Sequence, residues 1–394
     1  MNELAYALIT PYSLLKSRTG GITGRLIGLS RLTLVGIRMY IFSDAFVDAY
    51  QELLCHPGME PSIRDAWRRY VNENLRQKNP WGFVPRCMLL LFSGPNAVGH
   101  LKEEVIGSFT EQPVGDTVRG TYGDFIRGDD GKIRYFEPAV ITGGPDSRLN
   151  LEQLKLLARF DADGGILTGR CAYPAGSRVE TCLVILRPDN FERPTRRPGS
   201  IIDVFSRTGL RIVGTRLFHM TVAQAEEFYA PLKEDFRTRL KGNVSQEIYS
   251  RLQSAFAFSF TMLDAERVAD FLADRNAVAE FNKIVEYMTG VNPEEVADPQ
   301  AKGTASRSKC LAMLYEGPDA VTKIRRMLGS TDPNKAEPAT VRSEFGRDLM
   351  RNGAHASDSV ASAERERQVI GMCENAGDSD IKKMIDAHLE SAKG

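Results

Sequence analysis

The segment Leu90-Leu91-Phe92-Ser93-Gly94-Pro95-Asn96-Ala97-Val98 returns later in the chain as Met313-Leu314-Tyr315-Glu316-Gly317-Pro318-Asp319-Ala320-Val321. An apolar run, a Gly-Pro turn and an Ala-Val helix start are repeated in the same order. Internal repetition constrains a fold more than composition does, because a repeated pattern builds the same supersecondary unit twice. Other pairs fall in register with this one. Ala5 to Pro11 parallels Val184 to Pro188, and Gly24-Arg25-Leu26-Ile27 parallels Ile201-Ile202-Asp203-Val204. Leu34 to Met39 parallels Ile212 to Leu217, Asp48-Ala49-Tyr50 parallels Glu227-Phe228-Tyr229, and Thr117-Val118-Arg119 parallels Thr340-Val341-Arg342. The chain therefore reads as two copies, residues 1–150 and 178–394, joined by a linker over 151–177.

Within each copy, apolar and β-branched strands alternate with amphipathic helices. That order predicts α+β units with mainly antiparallel sheets and helices on one face. Copy two carries extra material near 237–279, rich in Leu, Phe and Ala at helical spacing, and a polar stretch near 291–309. The first reads as a helical excursion and the second as a loop. Copy one has a smaller excursion around His56–Pro85 with both tryptophans, Trp67 and Trp81. Gly20-Gly21-Ile22-Thr23-Gly24 reads as turn chemistry.

Lys plus Arg and Asp plus Glu both number 51, so no net field favours nucleic acid or an anionic membrane. No apolar run approaches the length of a membrane span, and the first residues lack a basic leader. The six cysteines are scattered, with no Cys-x-x-Cys pair, which fits a reducing cytoplasm. No Gly-x-x-x-x-Gly-Lys-Ser/Thr element is present, so a P-loop is not the phosphate cradle.

Chemistry concentrates in Arg351-Asn352-Gly353-Ala354-His355-Ala356-Ser357-Asp358-Ser359. His355 is one of only five histidines. A neutral imidazole is a usable nucleophile near pH 7, its ordinary pKa being about 6.5. Glu366, in the next helix, could orient the ring. Arg325 and Arg342 can offer planar forks to phosphate oxygens, and Thr331 can add a hydroxyl.

This stretch resembles the active-site segment of the nucleoside diphosphate kinases. Four further regions resemble that family in order: Cys182 to Asp189 its opening strand, Gln224 to Tyr229 and Ile284 to Gly290 two helices, then Leu328 to Pro333 with Pro338 to Phe345. The resemblance implies two ferredoxin-like (split βαβ) units. It implies transfer of the γ-phosphate of ATP or another nucleoside triphosphate to a nucleoside diphosphate, through phospho-His355. It assigns Tyr229, Ser357 and Glu366 to the surroundings of His355. It assigns Arg187, Arg325, Thr331, Arg342 and Asn352 to the nucleotide, and Asp358 to Mg²⁺ through water. A nucleotide-binding scaffold of the microtubule or ciliary kind is the alternative, since tandem units of this family also occur there.

Three departures stand out. Arg187 replaces the family's lysine, and Ala356 replaces a glycine. The base-stacking phenylalanine aligns with Glu280, leaving Phe281 or Phe236 as candidates. Copy one places Gly143 at the nucleophile position, Thr10 at that of Arg187 and Val140 opposite Asn352. It is expected to be silent and to act as an intrachain pseudo-dimer partner, with room for further homo-oligomeric assembly. Neither nucleic acid nor membrane is expected as a partner.

Overall fold

The computed structural model describes residues 2–109, 115–144, 146–374 and 377–392. The chain divides into two compact units, Met1–Phe218 with Leu311–Gly394, and His219–Cys310. The first unit holds both sheets. The first sheet contains β1 (Glu3–Ile9), β2 (Thr33–Tyr40), β3 (Cys87–Gly94) and β6 (Val140–Thr142), ordered β2-β3-β1-β6. The hairpin β4 (Asp124–Arg127) and β5 (Ile133–Glu137) stands apart from it. The second sheet contains β7 (Val179–Leu186), β8 (Arg211–His219), β9 (Lys309–Pro318) and β10 (Ala354–Ala356), ordered β10-β7-β9-β8. The two orders are the same when read from the opposite edge. β1 runs antiparallel to β3 and β6, and β7 antiparallel to β9 and β10. This is the expected α+β, ferredoxin-like arrangement, twice over.

The registers align the copies residue by residue. Glu3 pairs with Gly94 as Glu180 pairs with Gly317. Leu8 of β1 therefore corresponds to Ile185 of β7. Equivalent corners share backbone conformation: Gly107 and Gly329 both have φ of 84°, and Ala139 (φ 60°) corresponds to Gly353 (φ 82°). Copy one has one more residue than copy two between the Asn96/Asp319 corner and that glycine. The extra residue is absorbed as a π-helical turn over Leu101–Ile106 where copy two has the α-helix Ala320–Leu328.

The glycines at 20, 21 and 24 make no turn. They lie within the helix Thr19–Ser30, which crosses the helix Arg197–Ser206 of copy two. A Cβ on Gly199 would lie 2.2 Å from the Gly20 carbonyl oxygen and 2.4 Å from the Gly24 nitrogen. Backbone meets backbone there, and only glycine permits it. The Asp203 carboxylate accepts a bond from the Gly21 N–H at 3.1 Å across the same crossing.

The expected boundary at residue 150 falls inside the helix Ser147–Arg159. The segment that follows is not a free linker. Gly165 N–H donates to the Met39 carbonyl at 2.9 Å and Leu167 N–H to the Val213 carbonyl at 2.7 Å, so it bonds to both edge strands, β2 and β8. Bonding to those edges also occupies groups that could otherwise recruit another chain. The helix Asp380–Ser391 packs on the helix Ser147–Arg159 and on β2, placing Ile381 and Ile385 in the core of copy one. Nothing in the repeat pattern announced this return.

The second unit carries the excursion. Helices Leu232–Leu252 and Met262–Thr289 form a hairpin, the second opened by a Thr261–Asp264 capping box and closed by Gly290 at φ 72°. The expected loop near 291–309 contains a 3₁₀ turn at Pro293–Glu295 and a short helix at Pro299–Lys302. No helix among the described residues is long and apolar enough to cross a membrane.

Gly199→Val should force the crossed helices apart and cost about 1–3 kcal/mol, the usual range for overpacking. Gly115, with nothing within 4 Å of an added Cβ, supplies the control. Urea midpoints of the two variants measure the difference, and equal midpoints would refute the tight crossing.

Candidate active site

His355 sits in β10, opposite Ile185 of β7. The helix Val360–Val369 begins just beyond it, capped by Ser359, whose hydroxyl accepts from the Ser362 N–H. This strand-to-helix connection returns Glu366 to the strand. Glu366 Oε2 lies 2.9 Å from His355 Nε2 and accepts from the Ser357 hydroxyl at 2.6 Å. Ser357 and Glu366 are buried, while His355 keeps partial exposure. A carboxylate accepts and does not donate, so it fixes Nε2 as the protonated nitrogen of a neutral ring. In that tautomer the ring's lone pair lies on Nδ1.

Cations surround this group. Arg342 donates to the Gly329 carbonyl at 3.1 Å and to the Thr331 hydroxyl at 3.3 Å, and its other arm reaches the Ala354 carbonyl at 3.5 Å. Burial, then the neighbouring Arg187 and Arg325 charges, push Arg342 down to about 10. Like charges are held together here at a cost, a pattern that marks anion sites. Arg187 donates to the Met350 carbonyl. Asn352 is fully buried, donates to the carbonyls of Thr331 (3.2 Å) and Leu349 (3.0 Å), and has no hydrogen-bond partner for its Oδ1 among the described residues. The Ser362 hydroxyl donates to Asp358 at 2.6 Å and is the main reason the Asp358 carboxyl lies below its ordinary range, with Ser359 and Arg325 adding to the effect.

The structure thus brings together Arg187, Arg325, Thr331, Arg342, Asn352, His355, Ser357, Asp358 and Glu366. Tyr229 stands at the end of the helix Val222–Phe228 in the second unit, with its ring edge-on to Phe228 at 4.9 Å. Phe281 is buried in that unit under the Lys233 ammonium, 4.3 Å from the ring centroid, and offers no open face to a base. Glu280 pairs with Lys283 at 2.6 Å, and Phe236 is half-buried.

Ala356 lies within strand β10, outside the positive-φ region, so its departure from glycine carries no strain there. The positive φ falls on Gly353. Ala339, next to the Thr340 helix cap, does adopt φ of 64°. The pairing also corrects the reading of copy one. Ile141 pairs with Leu8 as His355 pairs with Ile185, so Ile141 and not Gly143 holds the nucleophile position. Counting from the same register, Pro138 and not Val140 corresponds to Asn352. The misalignment arose because the connection from strand to helix differs in length between the copies. Pro145, used in that alignment, lies outside the described residues. Gln153 takes the place of Glu366, accepting from the Gly144 N–H at 2.8 Å.

A family model described as nucleoside diphosphate kinase matches residues 180–237 and 232–370. A nucleoside diphosphate kinase of Picrophilus torridus is 27% identical over 192 residues, covering 49% of this chain and 94% of the relative. One of Methanococcus maripaludis is 29% identical over 188 residues, covering 48% and 95%. Among solved structures, that of the Aquifex aeolicus enzyme is similar at 26% identity with a TM-score of 0.31, covering 49% of this chain and 94% of that one. Through its second half, the chain belongs to the nucleoside diphosphate kinase family.

Ala339→Gly should relieve a left-handed conformation that costs a side chain about 1–2 kcal/mol, against about 0.4–1 kcal/mol of added freedom in the unfolded chain. A small rise in the urea midpoint is expected, and a fall would show that Ala339 is not strained.

Proposed function

We propose that the second half of this chain is a nucleoside diphosphate kinase working by a ping-pong mechanism. The observation that carries this reading is the Glu366 carboxylate, which holds both His355 and Ser357 beside three clustered arginines. The Nδ1 lone pair of His355 attacks the γ-phosphorus of a nucleoside triphosphate. The bond from that phosphorus to the β–γ bridging oxygen breaks, and the nucleoside diphosphate leaves with the electron pair. A terminal oxygen of a second nucleoside diphosphate then attacks the phosphohistidine, and the N–P bond breaks in turn.

Such a transfer is mostly positioning and charge stabilisation. Arg325, Arg342 and Thr331 would hold the phosphates, with Arg342 already oriented by the Gly329 and Ala354 carbonyls. Arg187 keeps a positive charge where the family has lysine, and Asn352 would meet the sugar hydroxyls with its unpaired oxygen. Tyr229 would complete the surroundings of the nucleophile. Asp358, whose carboxyl is held below its ordinary range and is not tied to His355 as Glu366 is, is the carboxylate that would hold Mg²⁺ through water, a hard cation that favours oxygen ligands. When bound, it would neutralise part of the phosphate charge. Copy one, without a histidine in the matched position, would be catalytically silent and serve as a built-in pseudo-dimer partner.

Incubation with γ-labelled ATP should give an acid-labile, base-stable phosphoenzyme in the wild type and none in His355→Ala. Persistence of label in that variant would rule out His355 as the nucleophile. Removing Arg325 or Arg342 should lower kcat/KM about tenfold or more, equal to about 1.4 kcal/mol of transition-state stabilisation. Glu366→Gln should lower kcat by roughly 10–100-fold, as loss of an orienting partner commonly does. Wild-type kinetics in all three would contradict these roles.

A further inference from the structure

Copy one has lost the nucleophile but kept a cation built for an anion. Its counterpart of the catalytic region is a cavity of about 530 Å³, walled by Met59, Trp67, Lys102, Phe109, Arg119 and Gly143 among others. Arg119 corresponds to Arg342 and repeats its bonds. It donates to the Gly107 carbonyl at 2.6 Å and to the Val140 carbonyl at 3.3 Å, where Arg342 donates to Gly329 and Ala354. Its guanidinium lies 4.3 Å from the Phe109 ring centroid and 5.9 Å from that of Trp67.

Two carbonyl bonds and two aromatic faces explain why the side chain is held. They do not explain why a full charge is held there. Among the described residues, buried Arg119 Nε has no hydrogen-bond partner and no carboxylate lies within ion-pair distance of Arg119, while Glu103, also on the cavity wall, and Asp146 act on Lys102. Burial pushes this guanidinium down to about 9, and it also depresses Lys102, which stands where copy two has Arg325. An uncompensated buried cation is costly, and a neutral donor could make the same carbonyl bonds. The residues that would grip a polyphosphate are gone. Phe109 replaces Thr331, Pro138 replaces Asn352 and Ile141 replaces His355. An aromatic wall stands in their place, and the volume is that of an ordinary ligand pocket.

We propose that this cavity binds a small organic anion, with one phosphate or carboxylate group on Arg119 and Lys102 and an aromatic or aliphatic body against Trp67 and Phe109. The site is a binding site without group transfer, separate from the one around His355. Phosphate and carboxylate share the chemistry that Arg119 recognises, so both are probed.

The chain has two tryptophans, and Trp81 is 62% exposed outside this cavity. Trp81→Phe in the full chain leaves Trp67 as the single fluorescent reporter on the cavity wall. Adenosine monophosphate and phenylacetate are titrated separately. At least one should change Trp67 emission saturably at millimolar concentration or below. The apparent affinity should fall tenfold or more in Arg119→Met and several-fold in Lys102→Met, and it should be unchanged in Arg342→Ala. A saturating response to only one probe identifies the headgroup. No saturable response to either would overturn the proposal. So would a response that survives Arg119→Met, or one abolished by Arg342→Ala, which would assign it to the other site. Should Arg119→Met fail to fold, Lys102→Met at the cavity rim decides, and wild-type affinity there would count against the site. Because the readout is Trp67 emission and not phosphoryl transfer, its failure is distinguishable from failure of the kinase reading.

Discussion

The contact between the Thr19–Ser30 and Arg197–Ser206 helices is backbone on backbone, and the arrangement of the two sheets depends on it. Gly20 on one helix and Gly199 on the other leave no room for a methyl group, and Gly24 leaves little. Close approach of this kind gives dispersion contact along the whole crossing and fixes its geometry more tightly than interdigitated side chains would. The segment after residue 160, bonded to β2 on one side and β8 on the other, holds the same arrangement from a second direction. Two copies of one fold are therefore locked as a pair within a single chain.

The site in copy two draws its order from the sheet. β10 is only three residues long, yet its pairing with β7 sets which way His355 faces. The helix behind it returns a buried carboxylate to the imidazole. Arg342 is tethered by backbone carbonyls at both arms, so its charge is in place before any ligand arrives. Preorganisation of this sort is what makes fixed charges effective on a transferring phosphate.

Much of this was legible in the sequence because it is local. The strands and the Gly-Pro corners follow from periodicity and from short motifs, and the candidate site residues follow from the resemblance to the nucleoside diphosphate kinases. What escaped is what depends on partners distant in sequence. The run Gly20 to Gly24 reads as a turn until Gly199 is seen beside it. Ile381 and Ile385 look like the apolar face of any terminal helix, and nothing in their spacing says that they cover copy one. Alignment by the helix start put Gly143 at the nucleophile position, whereas the hydrogen-bond register of β1 and β6 puts Ile141 there. The extra residue in the Leu101–Ile106 turn is visible only as a length difference, and its π-helical outcome is not.

The helix Asp380–Ser391 gives the chain an unusual order of completion. Copy one leaves the ribosome before copy two, yet part of its core, Ile381 and Ile385, is supplied by a helix that lies beyond copy two's sheet in the sequence. At about 5–20 residues per second, the stretch from Phe160 to Ile381 takes on the order of 10–40 s to synthesise. During that time the sheet face around β2 waits uncovered. The nascent chain must either shield that face with a chaperone or hold copy one loosely folded until that helix arrives. The core of copy one is thus completed only after the strands of copy two have been made.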